Sequence, residues 1–430
     1  MTHPAADPPR HRTRSRAAAL AAALALVAGL PACASDDGGG GGAPTINLYY
    51  PPEQNLQKVV DNCNAEAGGR YRIAYQVLPR GADDQRVQMV RRLAAADRGM
   101  DVLGLDVTWT QEFASADWIR EWTGDAKAEA EQGTLRGPLE SAQYEDKLFA
   151  APKNTNVHLL WYRSDLVDEA PATWDDMIAA AERLKSQGQP YQILTMGAQY
   201  EGLVVLYNTL VASAGGQILN EDGTKAVFDD GAVKALQLLK RIATAGVTEA
   251  SFPNATEDPV RLAFQSGNGA FQINWPFVYP ALQEGAPDLA RNVKWARVPG
   301  VDAGTPSRVT IGGINLAVSR YSRHPAEAFD AALCLRNAEN QKFSAINDGV
   351  PPTIESVYAD PEMTEAYPMK DDILAELKDA AVRPLTAAYQ NVSTVIAAAL
   401  SPPAEIDPES TADELRQSVQ DALESKGVLP

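Results

Sequence analysis

The residues of this chain best suited to chemistry are carboxylates, amides, an arginine and an indole that stand where apolar runs end. Glu53-Gln54-Asn55 follows Tyr50-Pro51-Pro52, and Asp106 closes the apolar run Leu103-Gly104-Leu105. Asn154 and Asn156 lie in Pro-Lys-Asn-Thr-Asn, Trp275 stands between Asn274 and Pro276, Gly312-Gly313 leads into Ile314-Asn315, and Arg383 sits in Val-Arg-Pro. In folds that alternate strands and helices, ligands bind at strand ends and in the loops that leave them. Carboxylates, amides and arginine make paired hydrogen bonds to hydroxyls, an indole stacks on apolar C–H faces, and glycines offer backbone amides with no side chain in the way. That inventory suits a hydroxyl-rich ligand such as a sugar. Each residue also has an ordinary use: Glu53 to Asn55 and Asp106 cap helices, Gly312-Gly313 makes a turn, Trp275 fills a core. The ligand role is preferred for Asp106, Trp275 and Arg383.

The groups that catalysis needs are scarce. Of four histidines, His3 and His11 precede an apolar N-terminal run, leaving His158 and His324, and His324 lies in a Ser-Arg-His-Pro helix start that suits a solvated loop. The sequence has no G-x-S-x-G elbow, no cysteine beside a histidine in a nucleophile motif, no zinc spacing, no P-loop and no dinucleotide fingerprint. No metal or cofactor is therefore expected, and the chain does not read as an enzyme. Paired carboxylates hydrolyse glycosidic bonds, and their pairing is spatial, so an exported carbohydrate hydrolase stands as one alternative. A binding protein for another solute, a glycerophosphodiester or a peptide, is the other.

The elements that must position these residues begin after a leader. Arg10, Arg12, Arg14 and Arg16 precede the apolar run Ala17 to Leu30, which ends in Leu30-Pro31-Ala32-Cys33. That is the pattern of a secretory signal with a lipobox, too short for a helix of ~20 residues to span a bilayer. Cys33 is expected to carry a diacylglycerol anchor on the outer face of the cell membrane, and Gly38 to Gly42 to form a flexible tether. Beyond it, strand-type runs at 45–50, 71–78, 100–107 and 147–151 alternate with amphipathic helices. The first helix carries Leu56, Val59, Val60 and Cys63 on one stripe, and the second carries Val87, Val90, Leu93 and Ala94. This order predicts a mostly parallel sheet covered by helices. Helices follow at 173–187, with Thr173 as N-cap, and at 201–214, 231–245 and 258–265, then strands at 269–274 and 314–319, and helices at 325–346 and 411–424.

Roughly 385 residues follow the tether, enough for two α/β lobes, with a boundary near Pro152 to Asn156. The chain has 56 Asp and Glu against 38 Lys and Arg, a net charge of -18. Such an acidic surface argues against nucleic acid and anionic lipid headgroups as partners, since both require clustered cations. Past the leader, Cys63 and Cys334 remain, either joined, as an oxidising setting permits, or as two buried thiols on apolar helix faces.

At these segments the chain resembles the extracellular solute-binding proteins of sugar ABC importers, in the cluster that takes up maltose and trehalose. The resemblance covers nearly all of the chain beyond the leader. It is carried by Asp101-Val102-Leu103-Gly104-Leu105-Asp106-Val107-Thr108-Trp109, Glu112-Phe113-Ala114, Leu159-Leu160-Trp161-Tyr162-Arg163, Thr173-Trp174-Asp175-Asp176, Asn274-Trp275-Pro276 and Arg383-Pro384, with Gln199-Tyr200-Glu201-Gly202 beside them. It implies a periplasmic-binding-protein-like α/β fold of two lobes that close on a disaccharide, trehalose favoured, and deliver it to a membrane permease, the protein itself being a monomer. The implied division is a leader over 1–32, a tether over 33–44, a first lobe from 45–153 with 316–365, and a second from 154–315 with 366–430. The implied cleft is lined by Asp106, Asn156, Trp275, Gly312, Gly313 and Arg383, with Glu53, Gln54 and Asn55 from the first loop and Tyr200, Glu201 and Glu257 by neighbourhood. Related binders have an aspartate before the Leu-Leu-aromatic-Tyr-Arg strand where this chain has Asn156, which keeps the geometry and changes the charge.

Overall fold

Apolar side chains every second residue make 45–50 a strand, and its neighbour in the sheet comes one helix later, the order that forces parallel pairing. In a computed structural model, which describes residues 42–426, the strands are β1 (Thr45–Tyr50), β2 (Arg72–Val77), β3 (Val102–Asp106), β4 (Gln143–Tyr144), β5 (Lys147–Leu148), β6 (Ala151–Asn156), β7 (Leu159–Arg163), β8 (Gln192–Leu194), β9 (Gly269–Asn274), β10 (Val293–Ala296) and β11 (Gly312–Val318). The leader, Cys33 and nearly all of the glycine tether lie outside the described residues. Five strands form a sheet in the order β2-β1-β3-β11-β6, four form a second in the order β10-β7-β9-β8, and β4 pairs with β5. β1, β2 and β3 are parallel. β11 is inserted antiparallel to both its neighbours, which the strand and helix alternation does not announce. The strand expected over 147–151 is a hairpin arm followed by β6.

Each sheet carries its own core and so defines a lobe. Leu48, Leu103, Leu105 and Leu316 belong to the first core, and Trp161, Leu206, Leu236 and Phe271 to the second. Only Val157 and His158, both fully buried, separate β6 from β7, so the chain steps between sheets without a loop. It returns from Ile311 in the second core into β11. The crossings therefore fall after Asn156 and before Gly312, and not at 153/154 and 315/316, because β6 and β11 pair along their length within one sheet. The helix Ala338–Asp348 also crosses: Phe343 packs on the first core while Ala345, Val357, Tyr358 and Met363 join the second. The segment up to 365 thus divides between the lobes.

Most helices follow their sequence. Leu56–Glu66 buries Leu56, Val59, Val60 and Cys63, and Thr173 caps Trp174–Ser186 in a reciprocal box with Asp176. The helix Ala82–Ala94 is rotated from its expected stripe and buries Gln85, Met89 and Leu93. Gln85 is tolerated inside because its amide donates to the carbonyls of Pro79 and Arg80, and Val87 is left exposed. The helix expected over 325–346 is two, Pro325–Leu335 and Ala338–Asp348, because the Asn337 side chain accepts from the Asn340 amide and starts a new helix.

Cys63 and Cys334 form a disulfide, with Cα atoms 5.8 Å apart and a sequence separation of 271. Both lie in the first core, so the bond closes that lobe across an excursion through the second. A crosslink over so long a loop restrains the unfolded chain strongly. The Cys63→Ala/Cys334→Ala variant is expected to lose about 2 to 5 kcal/mol of stability, read as a lower urea midpoint. An unchanged midpoint would mean that the noncovalent packing of the two helices suffices.

Candidate functional site

Strand register brings the chemistry together. In the first sheet Gly312 pairs with Asn156 and Ile314 with Asp106, so β3 and β6 end where β11 begins. In the second sheet Leu159 pairs with Asn274, so β7 begins where β9 ends. The two-residue step from Asn156 to Leu159 holds these edges together and brings Asp106, Asn156, Gly312 and Trp275 to a common boundary between lobes.

Asp106 ends β3 in a tight turn: its Oδ1 accepts from the Thr108 amide at 3.0 Å and the Thr108 hydroxyl at 2.8 Å. The same oxygen accepts from Arg383 Nη2 at 3.0 Å, while Arg383 Nη1 donates to Glu201 Oε1 at 2.6 Å. Arg383 is only 3% exposed. Burial works against its charge, but Asp106, Tyr389 and Glu201 beside it hold its pKa above the ordinary value. Glu201, first residue of the helix Glu201–Ser213, stands where the helix dipole favours a carboxylate.

Trp275 is set by its neighbours. Its amide donates to Asn274 Oδ1, the Asn274 side-chain amide donates to the Glu257 carbonyl, and the Asn274 carbonyl accepts from the Trp161 indole. The indole ring lies 3.8 Å from the His158 ring, tilted by 41°. A Cβ on Gly312 would stand 3.3 Å from both the indole and the Asn156 Cβ. At Gly313 φ is +130° and a Cβ would meet the Asn154 carbonyl oxygen at 2.4 Å, so only glycine lets β11 approach β6 here. Burial pushes the Glu257 carboxyl up, with the Tyr200 and Trp275 side chains acting the other way. Tyr200 lies beside Glu257 without a well-formed hydrogen bond to it. Its ring folds over Gly202, where a Cβ would stand 2.1 Å from the hydroxyl oxygen.

The first loop is arranged differently from the sequence expectation. Both Glu53 oxygens accept from Lys153 Nζ at 3.0 Å, and Oε1 also accepts from Ser344. The pair is almost wholly buried. Asn55 donates to Asp348 Oδ1 at 2.6 Å, which ties the start of one helix to the end of another, and Gln54 is exposed. Next to Asp348, Gly349 packs on Pro276 and Phe277. Lys153, His158, Ser344, Asp348, Tyr389 and Ser393 are thus drawn into or against the site. None stands in a motif, and their only signal is polarity inside otherwise apolar segments.

Several buried polar atoms at this boundary have no protein partner: Asn156 Oδ1, both His158 ring nitrogens, the Tyr200 hydroxyl, Asp348 Oδ2 and Arg383 Nε. Each costs roughly 1 to 3 kcal/mol unless something else bonds to it. A groove of about 740 Å³ lined by Thr134–Gly137, Thr305–Arg308 and Leu377–Ala380 contains none of them. Its Arg136 and Lys378 are already paired with Glu140 and Glu355. Among the described residues no group of three or more His, Cys, Asp or Glu is placed to hold a metal ion, and no helix is long and apolar enough to cross a membrane.

Residues 50–342 match the family described as "Bacterial extracellular solute-binding protein". A probable ABC transporter-binding protein of Deinococcus radiodurans is 28% identical over 338 residues, 75% of this chain and 79% of that one. Maltose-bound MalE3 of T. maritima has the same fold with a TM-score of 0.77 and 28% identity, over 89% of this chain and 100% of that one. The sugar-binding protein MalE of Xanthomonas citri aligns with a TM-score of 0.75 at 18% identity, over 89% and 98%.

The buried His158 imposes a pH dependence. Burial, reinforced by the charge of Arg383, pushes its imidazole down to about 3. The unfolded chain takes up this proton near ~6.5 and the folded one does not. The stability tied to the neutral ring is therefore present above ~6.5 and lost as pH falls, by up to about 1.4 kcal/mol per pH unit. His158→Gln is expected to lose less stability than the parent between pH 7 and 4.5 in thermal melts. Parallel losses would show that His158 does not reside in the fold as a buried neutral ring.

Proposed function

Because the chain belongs to the bacterial extracellular solute-binding protein family, as a sugar-binding protein of an ABC importer and not an enzyme, we propose that its solute is a neutral disaccharide, trehalose foremost. The observation that carries this reading is the set of unpartnered buried polar atoms gathered beside Trp275 where the edges of the two sheets meet. A disaccharide supplies hydroxyls to Asn156, Tyr200, Asp348 and Arg383 and an apolar ring face to the indole. Oδ2 of Asp106 has no hydrogen bond within the protein and is open to a hydroxyl, since Thr108 and Arg383 all converge on Oδ1.

Charge balance narrows the ligand class. Arg383 is already paired with Asp106 and Glu201, and Lys153 with Glu53. Among the described residues, neither Arg383 nor Lys153 is left free for a phosphate or a peptide carboxylate, which disfavours a glycerophosphodiester or a peptide. Maltose in the MalE3 structure supports a disaccharide-sized ligand. Trehalose in particular rests on the resemblance to LpqY, the trehalose-binding lipoprotein of mycobacteria, through Gln199-Tyr200-Glu201-Gly202 and the leader. Lipid attachment at Cys33, after cleavage of the leader, belongs to the same proposal and would keep the binding protein beside its permease.

The test is calorimetric titration with trehalose, maltose, a glycerophosphodiester and a short peptide. Trehalose or another disaccharide is expected to bind, and the charged solutes are not. Trp275→Ala is expected to weaken binding at least 10-fold, about 1.4 kcal/mol, in protein that melts as a folded chain. Binding of a charged solute, or undiminished affinity in the variant, would overturn the assignment.

A further inference from the structure

Glu201 looks at first like one more carboxylate for a sugar, but three of the roughly four acceptor sites of its carboxylate are already taken by protein donors. Its Oε1 accepts from Arg383 Nη1 and from the Tyr389 hydroxyl, both at 2.6 Å, and its Oε2 accepts from the Ser393 hydroxyl. Tyr389 and Ser393 are one turn apart on the helix Tyr389–Ala399, so they present two hydroxyls on one face. The Tyr389 phenol is buried, and burial together with the neighbouring Glu201 raises its pKa well above the ordinary value, which keeps it a donor. The ring of Tyr389 also lies 5.8 Å from the Arg383 guanidinium. Four side chains of the second lobe are thus locked on one another, and only Arg383 reaches out of the group, to Asp106 at the end of β3 in the first lobe. The next residue on the same helix, Gln390, donates to Asp83 of the first lobe at 3.1 Å.

We infer that Glu201, Tyr389 and Ser393 are positioning residues: they hold Arg383 so that its guanidinium bonds Asp106 only when the lobes are together, and so form a latch for the closed state. The latch leaves Arg383 Nε buried and unpartnered, aligned by its two anchored nitrogens. A planar guanidinium fixed at Nη1 and Nη2 has no freedom to turn Nε elsewhere. Arg383 therefore acts both as a crosslink between lobes and as an oriented donor, and Glu201 acts through it without meeting the ligand.

The inference rests on the sugar-binding reading for one arm of its test and is independent of it in the other. Without ligand, Asp106→Asn and Glu201→Gln, substitutions in different lobes joined only through Arg383, are expected to be coupled: the melting-temperature drop of the double variant should be smaller than the sum of the single drops. In an Arg383→Met background the two should add. Additivity with Arg383 present would overturn the latch whatever the solute proves to be. With sugar, Tyr389→Phe and Ser393→Ala are each expected to raise the dissociation constant about 3- to 10-fold, chiefly through faster dissociation. Unchanged affinity in both, beside a large loss in Glu201→Gln alone, would make Glu201 a ligand contact and overturn its positioning role. Lower melting temperatures with unchanged sugar affinity in all three variants would reduce the cluster to packing and overturn it equally.

Discussion

A guanidinium that is 3% exposed is the constraint on which this boundary depends. Taking such a charge out of water costs several kcal/mol, and only close carboxylates with good geometry offset it. Arg383 finds one in each lobe. The demand fixes more than two residues. Asp106 must end β3 at the edge facing the second sheet, which needs β11 to enter beside it, and β11 lies close enough to β6 only because residue 313 is glycine. Glu201 must begin its helix at the matching height, where the helix N-terminus and two hydroxyls support it. The step through Val157 and His158 then keeps the sheet edges within reach.

The same economy of charge appears in the first loop. Lys153 on β6 is buried against Glu53, with Tyr50 beneath it at 5.0 Å. Arg383 and Lys153 are thereby neutralised within the protein, and what remains for a solute is a collection of neutral hydrogen-bonding groups and carboxylates. Under the proposed sugar-binding role, such a surface discriminates by position and count of hydroxyls. A wrong stereoisomer leaves at least one buried group without a partner, whereas an anionic ligand finds Arg383 and Lys153 already paired. Asn156 fits this pattern: an amide gives both a donor and an acceptor where an aspartate would add another negative charge beside Asp106.

How much of this is legible in the sequence depends on the range over which each interaction acts. Local rules carry the stripe of Leu56, Val59, Val60 and Cys63, the Thr173 cap and β9, because spacing along the chain determines them. They misplace the Ala82–Ala94 face, where two backbone carbonyls satisfy Gln85, and they miss the helix break at Asn337. Asp106, Trp275 and Arg383 stand out as polar or aromatic residues at strand ends and in a proline-bounded loop. Their supporting partners do not. Tyr389 and Ser393 look like ordinary positions of an apolar helix, Lys153 lies 100 residues from Glu53, and Asp348 lies 293 residues from Asn55. A pairing of that kind is a property of topology, and β11, the strand that sets the topology, carries no mark in sequence of its antiparallel direction.

In the proposed closing of the lobes, two terms oppose each other in the empty protein. The bond from Arg383 to Asp106 favours joining the lobes, while the unpartnered atoms of Asn156, Tyr200, Asp348 and Arg383 itself penalise burying that boundary without a ligand. A solute that hydrogen-bonds to those atoms removes the penalty and leaves the latch intact, so its free energy of interaction is larger in the closed form than in the open one. That difference, and not affinity as such, is what shifts the population of a two-state protein. Were the polar atoms satisfied internally, the lobes would close without a solute and an importer could not distinguish loaded from empty. Were Arg383 unanchored, the solute alone would have to hold the lobes together and would leave more readily. The unpaired groups and the paired arginine are therefore complementary parts of one device.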